Sequence, residues 1–375
     1  MTILGIETSC DETAAAIITG DKDRITLRSS VLATSLAMHA ETGGIIPEQA
    51  ARQQVRYMLP VIQDAIKQAG ITLEELDAIA VTYGPGLIGS LLVGVETAKT
   101  LSYVLHKPLI PINHMLGHIY ANWIIDSKVN QSVQNEKSSD TTPLSLPTFP
   151  LIALVVSGGH TDLLLMKSHS DIKLLGGTRD DAAGECFDKC ARLLGYPYPG
   201  GPKISQLAEK GNPKAIAFPR PMLGNHDYQF SFSGLKTSFL HSTKQHFPVL
   251  RTGHPQDKIG WQQVVVEAAS AKEKHLVYDL CASLQEAIID VLVKKTMRAA
   301  KEHRVQSVVI SGGVSANQLL RDRFTEMCKK EAVTFFSPAK QLSTDNAAMI
   351  ASAAYFHFTP QKWQAVTADP ELYFD

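Results

Sequence analysis

The sequence predicts an α/β protein made of two similar lobes with a cleft between them, and three observations carry that expectation. Ile3 to Ile18 and Leu151 to Met166 each give an apolar run, a small polar turn and a second apolar run, the pattern of a β-hairpin. Ala78 to Thr82 leads through Gly84-Pro85-Gly86 into a helical stretch, and Ser307 to Ile310 leads through Gly312-Gly313 into another. Hairpin, helix, strand, glycine turn and helix therefore recur in one order, which argues for one unit used twice rather than two unrelated domains. The length of 375 residues fits, being more than a single core ordinarily organises.

Residues 1–115, completed by about 346–375, form the expected first lobe, and residues 150–345 the second. Between them, 116–149 holds a connecting helix and a polar insert: Asp126 to Pro147 is poor in apolar residues and rich in Ser, Asn, Gln, Thr and Lys, as an exposed loop would be. A second polar stretch, His241 to Lys258, precedes a long helical region from Trp261 to about His303. Pro111 closes one strand, and Asn113 is a good N-cap for a helix that starts at His114.

Composition narrows the function classes. Hydrophobic residues at 44% and charged residues at 19% describe a globular chain, and no apolar run comes near the roughly 20 residues a membrane span needs. Met1-Thr2 passes straight into the strand-like Ile3-Leu4-Gly5-Ile6, without the basic and apolar segments of a signal peptide, so a cytoplasmic protein with no membrane role is expected. Five scattered cysteines suit a reducing compartment without disulfides. Cys186 and Cys190 read as two half-buried thiols on a helix, because no second pair completes a metal ligand set. A net charge of -1 gives no global basic signature for nucleic acid, so any such partner must be met locally.

His114 and His118 stand four apart, so on a helix both imidazoles leave one face and can hold one ion. The spacing alone also fits a hydrogen-bonded surface pair. A metalloprotease would place glutamate directly after the first histidine, where Met115 stands, so that chemistry is disfavoured. Asp345, in Ser343-Thr344-Asp345-Asn346 ahead of a small-residue helix, is the best third ligand, and it also reads as an N-cap. Two histidines and a carboxylate leave positions open for substrate and suit iron(II), zinc or manganese. A second constellation is the set of glycine turns Ser157-Gly158-Gly159-His160, Pro199-Gly200-Gly201 and Ser311 to Asn317, each able to bring backbone N–H groups to phosphate or sugar oxygens. None is a P-loop or a dinucleotide fingerprint. Asp180, Asp181, Glu185 and Asp188 read as one charged helix face, with Asp188 the exception if it accepts from a substrate hydroxyl or amine. Asp11 and Glu12, in the first hairpin turn, read either as a general base or as turn residues.

Taken together, these stretches resemble the TsaD family of tRNA threonylcarbamoyladenosine transferases, within the actin, Hsp70 and sugar-kinase superfamily. The match runs through Gly5 to Thr13, Gly84 to Gly86, Asn113 to His118, Val156 to Thr161, Asp180 to Glu185, Tyr198 to Pro202, Phe230 to Thr237, Gly312 to Asn317 and Thr344 to Asn346. The resemblance implies an actin-like, ribonuclease H-like ATPase fold and one divalent metal ion, iron(II) or zinc, on His114, His118 and Asp345. It implies nucleotide contacts from Val155, Val156, Ser157, Gly158, Gly159, Asp188, Gly201 and Asn317. It further implies transfer of a threonylcarbamoyl group from threonylcarbamoyl-AMP to the exocyclic amine of the adenosine 3′ of the anticodon in tRNA, with a TsaB-like paralogue and a TsaE-like ATPase as partners. Loss of the amine proton falls by hypothesis to Asp11 or Glu12. The chain departs from the family pattern twice: Leu116 stands where bacterial relatives usually carry glutamate, and Gln54 where histidine is common. Neither change removes a proposed ligand, and Leu116 bears on the support around the metal. A phosphotransferase or ATPase of the same superfamily would share the lobes without needing the histidine pair, and a scaffold paralogue would be expected to lose both metal triad and glycine turns.

Overall fold

A computed structural model describes residues 1–22, 24–34, 46–125, 146–246 and 271–374. The first hairpin is β1 (Thr2–Glu7) and β2 (Glu12–Asp21), antiparallel with Gly5 opposite Ala16, and β3 (Arg24–Thr34) continues the meander. After α1 (Pro47–Ala69), β4 (Ala78–Gly84) returns parallel to β1, and after α2 (Ile88–Leu105), β5 (Leu109–Asn113) lies parallel to β4. α3 (His114–Tyr120) follows at once, and the short β6 (Ile124–Ile125) pairs with β3. The sheet order is β5-β4-β1-β2-β3-β6.

The second sheet repeats this plan. The hairpin is β7 (Leu151–Val156) and β8 (Thr161–Met166), extended by β9 (Ile172–Gly176). Where the described residues of the first lobe have one helix between β3 and β4, those of this one have α4 (Ala183–Leu193), α5 (Gly201–Ala208), α6 (Ser233–His246) and α7 (Ala271–Glu302). Then β10 (Ser307–Ser311), a 3-10 turn, α8 (Gln318–Lys330) and β11 (Thr334–Phe336) complete the order β11-β10-β7-β8-β9. Counted from each hairpin, the strands stand in the same sequence in both sheets, the duplicated ribonuclease H-like arrangement of the actin-like fold. A last helix, α9 (Ala347–Phe356), packs back on β1 and β2 of the first sheet.

Strand periodicity explains how the lobes share a core. Along β7, Ile152, Leu154 and Val156 face the helices of the second lobe, whereas Leu151, Ala153 and Val155 face inward. Along β1, Leu4 and Ile6 face α1 and α2, and Ile3 faces inward. The inward residues meet α3 and α9 in one apolar cluster containing Met115, Ile119, Ala347 and Ile350. Close approach of α9 demands Gly5, since a Cβ there would lie 2.2 Å from the carbonyl oxygen of Ala347. Gly312 is required for another reason, with φ +84 beside the backbone of Val156.

Several expectations need correction. Asp180 and Asp181 precede α4 rather than lying in it, because the Asp180 carboxylate accepts from the N–H groups of Phe232 and Ser233 at the start of α6 (2.8 and 3.1 Å). Cys186 and Cys190 are fully buried, as their helix packs against α5 and α6 in the second-lobe core. α2 is, by length and composition, apolar enough to cross a membrane; here it lies between β4 and α1 as a covering helix of the sheet. Residues 126–145 of the expected polar insert, and 247–270, which include most of the second polar stretch and the expected helix start at Trp261, lie outside the described residues.

Candidate metal and nucleotide site

The switch from β5 to α3 builds the centre of the site. The Asn113 side chain accepts from the N–H groups of Met115 and Leu116 (2.8 and 3.3 Å), starting the helix at His114. With a whole turn between them, His114 and His118 stack edge to face with ring centres 4.6 Å apart, and both are buried. Asp345 arrives from the segment before α9, its Oδ1 at 3.5 Å from His114 Nε2 and 3.2 Å from His118 Nε2. It is not the cap of that helix. Asn346 fills that role, accepting from the Met349 N–H at 3.0 Å, which leaves the Asp345 carboxylate for the histidines.

The residues fit a metal ion. One ligand atom from each of His114, His118 and Asp345 lies within 4.8 Å of the others. A tetrahedral ion with bonds of about 2.1 Å holds its ligand atoms about 3.4 Å apart, which is the separation of the carboxylate from each imidazole. His118 Nδ1 is buried without a hydrogen-bond partner and Nε2 has only Asp345 Oδ1, at 3.2 Å and outside good hydrogen-bond geometry, an arrangement that a cation between Nε2 and the carboxylate would satisfy.

Glu7, at the end of β1, was not singled out from the sequence. Its carboxylate is fully buried, 3.0 Å from His114 Nδ1, and also accepts from the Ser9 N–H and the Thr82 hydroxyl. A proton on Nδ1 serves Glu7 and turns the Nε2 lone pair toward Asp345, the support that a histidine would need to act as a metal ligand. The only signal in the sequence was an acidic residue at the end of an otherwise apolar strand. His160 was missed as well: the β7–β8 turn, closed by His160 N–H to Ser157 Oγ, sets it close enough to feel the charges of His114 and His118.

Electrostatics agree with a cation site. Burial opposes the ionised form of Glu7, but the charge and hydrogen bond of His114 outweigh it and hold the carboxyl below its usual range. Burial likewise opposes charge on His114, yet Glu7 and Asp345 raise it to about 9. Asp345 is held well below the ordinary carboxylate range by both histidines despite its burial. His160 drops to about 4, through burial first and then the charges of His114 and His118. Glu12 goes the other way, to about 10, driven by burial and then by Asp345 and Asp11. Two ionised carboxylates and a proton that a metal could displace thus lie together, with the histidines and Glu7 buried and Asp345 partly exposed.

The other predicted residues divide into two groups. Gly158 and Gly159 form the tip of the β7–β8 turn, where an added Cβ would meet nothing within 4 Å, so the backbone is open to a ligand. Tyr198, ahead of the Gly200-Gly201 turn, is raised by burial and then by the charges of Asp11 and Asp188. By contrast, the side chains of Val155 and Val156 are in the core, and only their backbone is left for contacts. Asp188 Oδ1 accepts from the Gly200 and Gly201 N–H groups (2.7 and 3.1 Å), so it shapes the turn. Asn317 caps α8 through Leu320 N and donates to Ser205 Oγ and Gln285 Oε1 (2.8 and 2.7 Å), tying α5, α7 and α8 together. At the departures from the family pattern, Leu116 packs into the shared core, and buried Gln54 donates to the carbonyls of Cys10 and Glu12 (3.0 and 2.9 Å).

A family model described as TsaD, tRNA N6-adenosine threonylcarbamoyltransferase, matches residues 26–352. The tRNA N6-adenosine threonylcarbamoyltransferase of Thermomicrobium roseum is 47% identical over 358 residues, 95% of this chain and 92% of the relative. That of Bacillus subtilis is 45% identical over 359 residues, 96% of this chain and 91% of the relative. Among solved structures, T. kodakarensis HypF aligns at a TM-score of 0.57 with 14% identity, over 95% of this chain and 47% of that one, a likeness in fold. By the extent of the family match and the identity to full-length relatives, this chain belongs to the tRNA N6-adenosine threonylcarbamoyltransferase family.

Proposed function

We infer that this protein transfers the threonylcarbamoyl group of threonylcarbamoyl-AMP to the exocyclic amine of the adenosine 3′ of the anticodon, in tRNAs that read codons beginning with A, and releases AMP. The observation that carries the reading is the His114, His118 and Asp345 cluster, backed by Glu7, in a chain of this family. The amine nitrogen bonds to the carbamoyl carbon, the carbon–oxygen bond to phosphate breaks, AMP leaves with that oxygen, and the amine gives up one proton. An aryl amine is a weak nucleophile, so the mixed anhydride provides the leaving group and alignment of the two substrates lowers much of the remaining barrier. His114, His118 and Asp345 would hold a divalent ion, iron(II) or zinc, which would supply a Lewis acid for the carbonyl.

The chain's own residues account for the rest. The open backbone at Gly158-Gly159 offers N–H groups to the adenylate, and the Gly201 turn, whose N–H groups are held by Asp188, supplies a shaped wall beside it. Asn317 fixes the helices behind that surface. Glu12 keeps its proton at neutral pH because burial is the largest cause of its shift, so Asp11 is the better acceptor for the amine proton. Residues 1–115 with 346–375 act as one lobe and 150–345 as the other, with the reaction between them. The reading includes a TsaB-like paralogue and a TsaE-like ATPase as partners, and a cytoplasmic location where tRNA is found.

The test combines the purified chain, both partners, threonylcarbamoyl-AMP and unmodified tRNA, and measures modified nucleoside. Formation of the nucleoside that is lost with a chelator and with His114→Ala is expected. Transfer indifferent to both would overturn the metal role, and absence of transfer from the complete wild-type mixture would overturn the activity.

A further inference from the structure

Asp345 lies on a segment without regular structure, between a 3-10 turn at Lys340–Leu342 and α9. A ligand on such a segment needs an external anchor, because metal geometry tolerates only a few tenths of an ångström. Arg321, one turn into α8, is in place for this. Its Nε donates to the Ser315 carbonyl at 2.6 Å, and its Nη2 to the Pro338 carbonyl at 2.8 Å and to Ser343 Oγ at 3.1 Å. Ser315 and Ser343 are fully buried, so these bonds are shielded from water. Among the described residues Arg321 forms no ion pair, and its donors go to carbonyl and hydroxyl oxygens on two separate segments. A planar guanidinium holds several acceptors in fixed directions, which a flexible ammonium does not.

We propose that Arg321 is a positioning residue that sets the Asp345 carboxylate against His114 and His118, by tying the 338–345 segment to the Gly312–Asn317 turn. The proposal rests on the metal reading above for its effect on binding, while the tie itself does not. The same guanidinium joins the metal carboxylate to a turn assigned to the nucleotide, so slack at one end is felt at the other.

The experiment compares wild type, R321M, R321K, D345N and the R321M/D345N pair in the full chain. Affinity for cobalt(II) alone is read from its absorption, and amide hydrogen exchange is followed in 338–346 and 313–317. R321M should keep cooperative unfolding, exchange faster in 338–346, and bind cobalt(II) about 10–100-fold more weakly; R321K should recover part of both. In the D345N background, R321M should add nothing to the loss of cobalt(II) affinity. Wild-type affinity and unchanged exchange in R321M would overturn the proposal, as would faster exchange with undiminished cobalt(II) affinity. A wild type that binds no cobalt(II), with exchange still faster in R321M, would uphold the tie and remove the metal reading instead.

Discussion

Glu7 and His114 show how two buried charges define what the pocket can take. Glu7→Gln keeps the shape but removes the anion behind Nδ1, so metal affinity should fall about 10–100-fold by titration with zinc, with little change in fold. The pH dependence follows from the same pair. His114 is raised to about 9, so below that pH a proton must leave before Nε2 can bind a metal whose approach raises the local positive charge. Zinc affinity should therefore fall about tenfold per unit as pH drops below about 9, the slope of one displaced proton. In Glu7→Gln the imidazole loses its stabilising anion, and the slope should flatten near neutrality. A pH-independent affinity in the wild type would mean that His114 is not a ligand.

At the scale of elements, the site depends on how turns are pinned. Gln54 projects from α1 into the β1–β2 turn and holds the carbonyls of Cys10 and Glu12, so the turn that carries Asp11 is fixed by a helix about 40 residues away in sequence. Gln54→Ala should lower the single-turnover transfer rate about tenfold or more through misplacement, while metal content stays at the wild-type level. Equal loss of metal content would instead make Gln54 part of the metal support. Gly5 is a second element-level constraint. Gly5→Ala drives a methyl into the Ala347 carbonyl and pushes α9 off β1, for an expected loss of about 1–3 kcal/mol in thermal or denaturant unfolding. Because Asp345 immediately precedes α9, the same substitution should weaken metal binding.

For the whole molecule, the join between the lobes is an aromatic cluster around Tyr120, whose hydroxyl meets His169 Nδ1 at 2.6 Å and His357 Nε2 at 2.8 Å. His169 comes from the β8–β9 turn and stacks on Phe356 at the end of α9, so the cluster joins second-lobe strands to first-lobe packing. Burial, then the charge of His169, lowers His357 to about 4. A histidine depressed in the fold leaves stability intact above its ordinary value of 6.5, and stability is lost as pH falls from 6.5 toward 4, where only the unfolded chain takes up the proton. Wild type should lose on the order of 2 kcal/mol from this group across that interval, and His357→Gln should flatten that part of the profile in denaturant titrations at several pH values.

Much of this protein was written locally in its sequence. Two hairpins, two strand-turn-helix units and the cap at Asn113 depend on near neighbours, so apolar periodicity, glycines and a capping side chain were enough to read them. The four-residue spacing of His114 and His118 is a property of one helix and was legible for the same reason. Tertiary structure decided what lies across sequence distance. It brought Asp345 to the histidines while giving the cap to Asn346, placed Glu7 behind His114, and turned Asp188 and Asn317 inward to hold turns and helices. Those outcomes depend on how α3 and α9 pack between two sheets, and burial selects which polar side chain faces which partner. No local pattern contains that information, because the free energy involved belongs to the shared core rather than to any single segment.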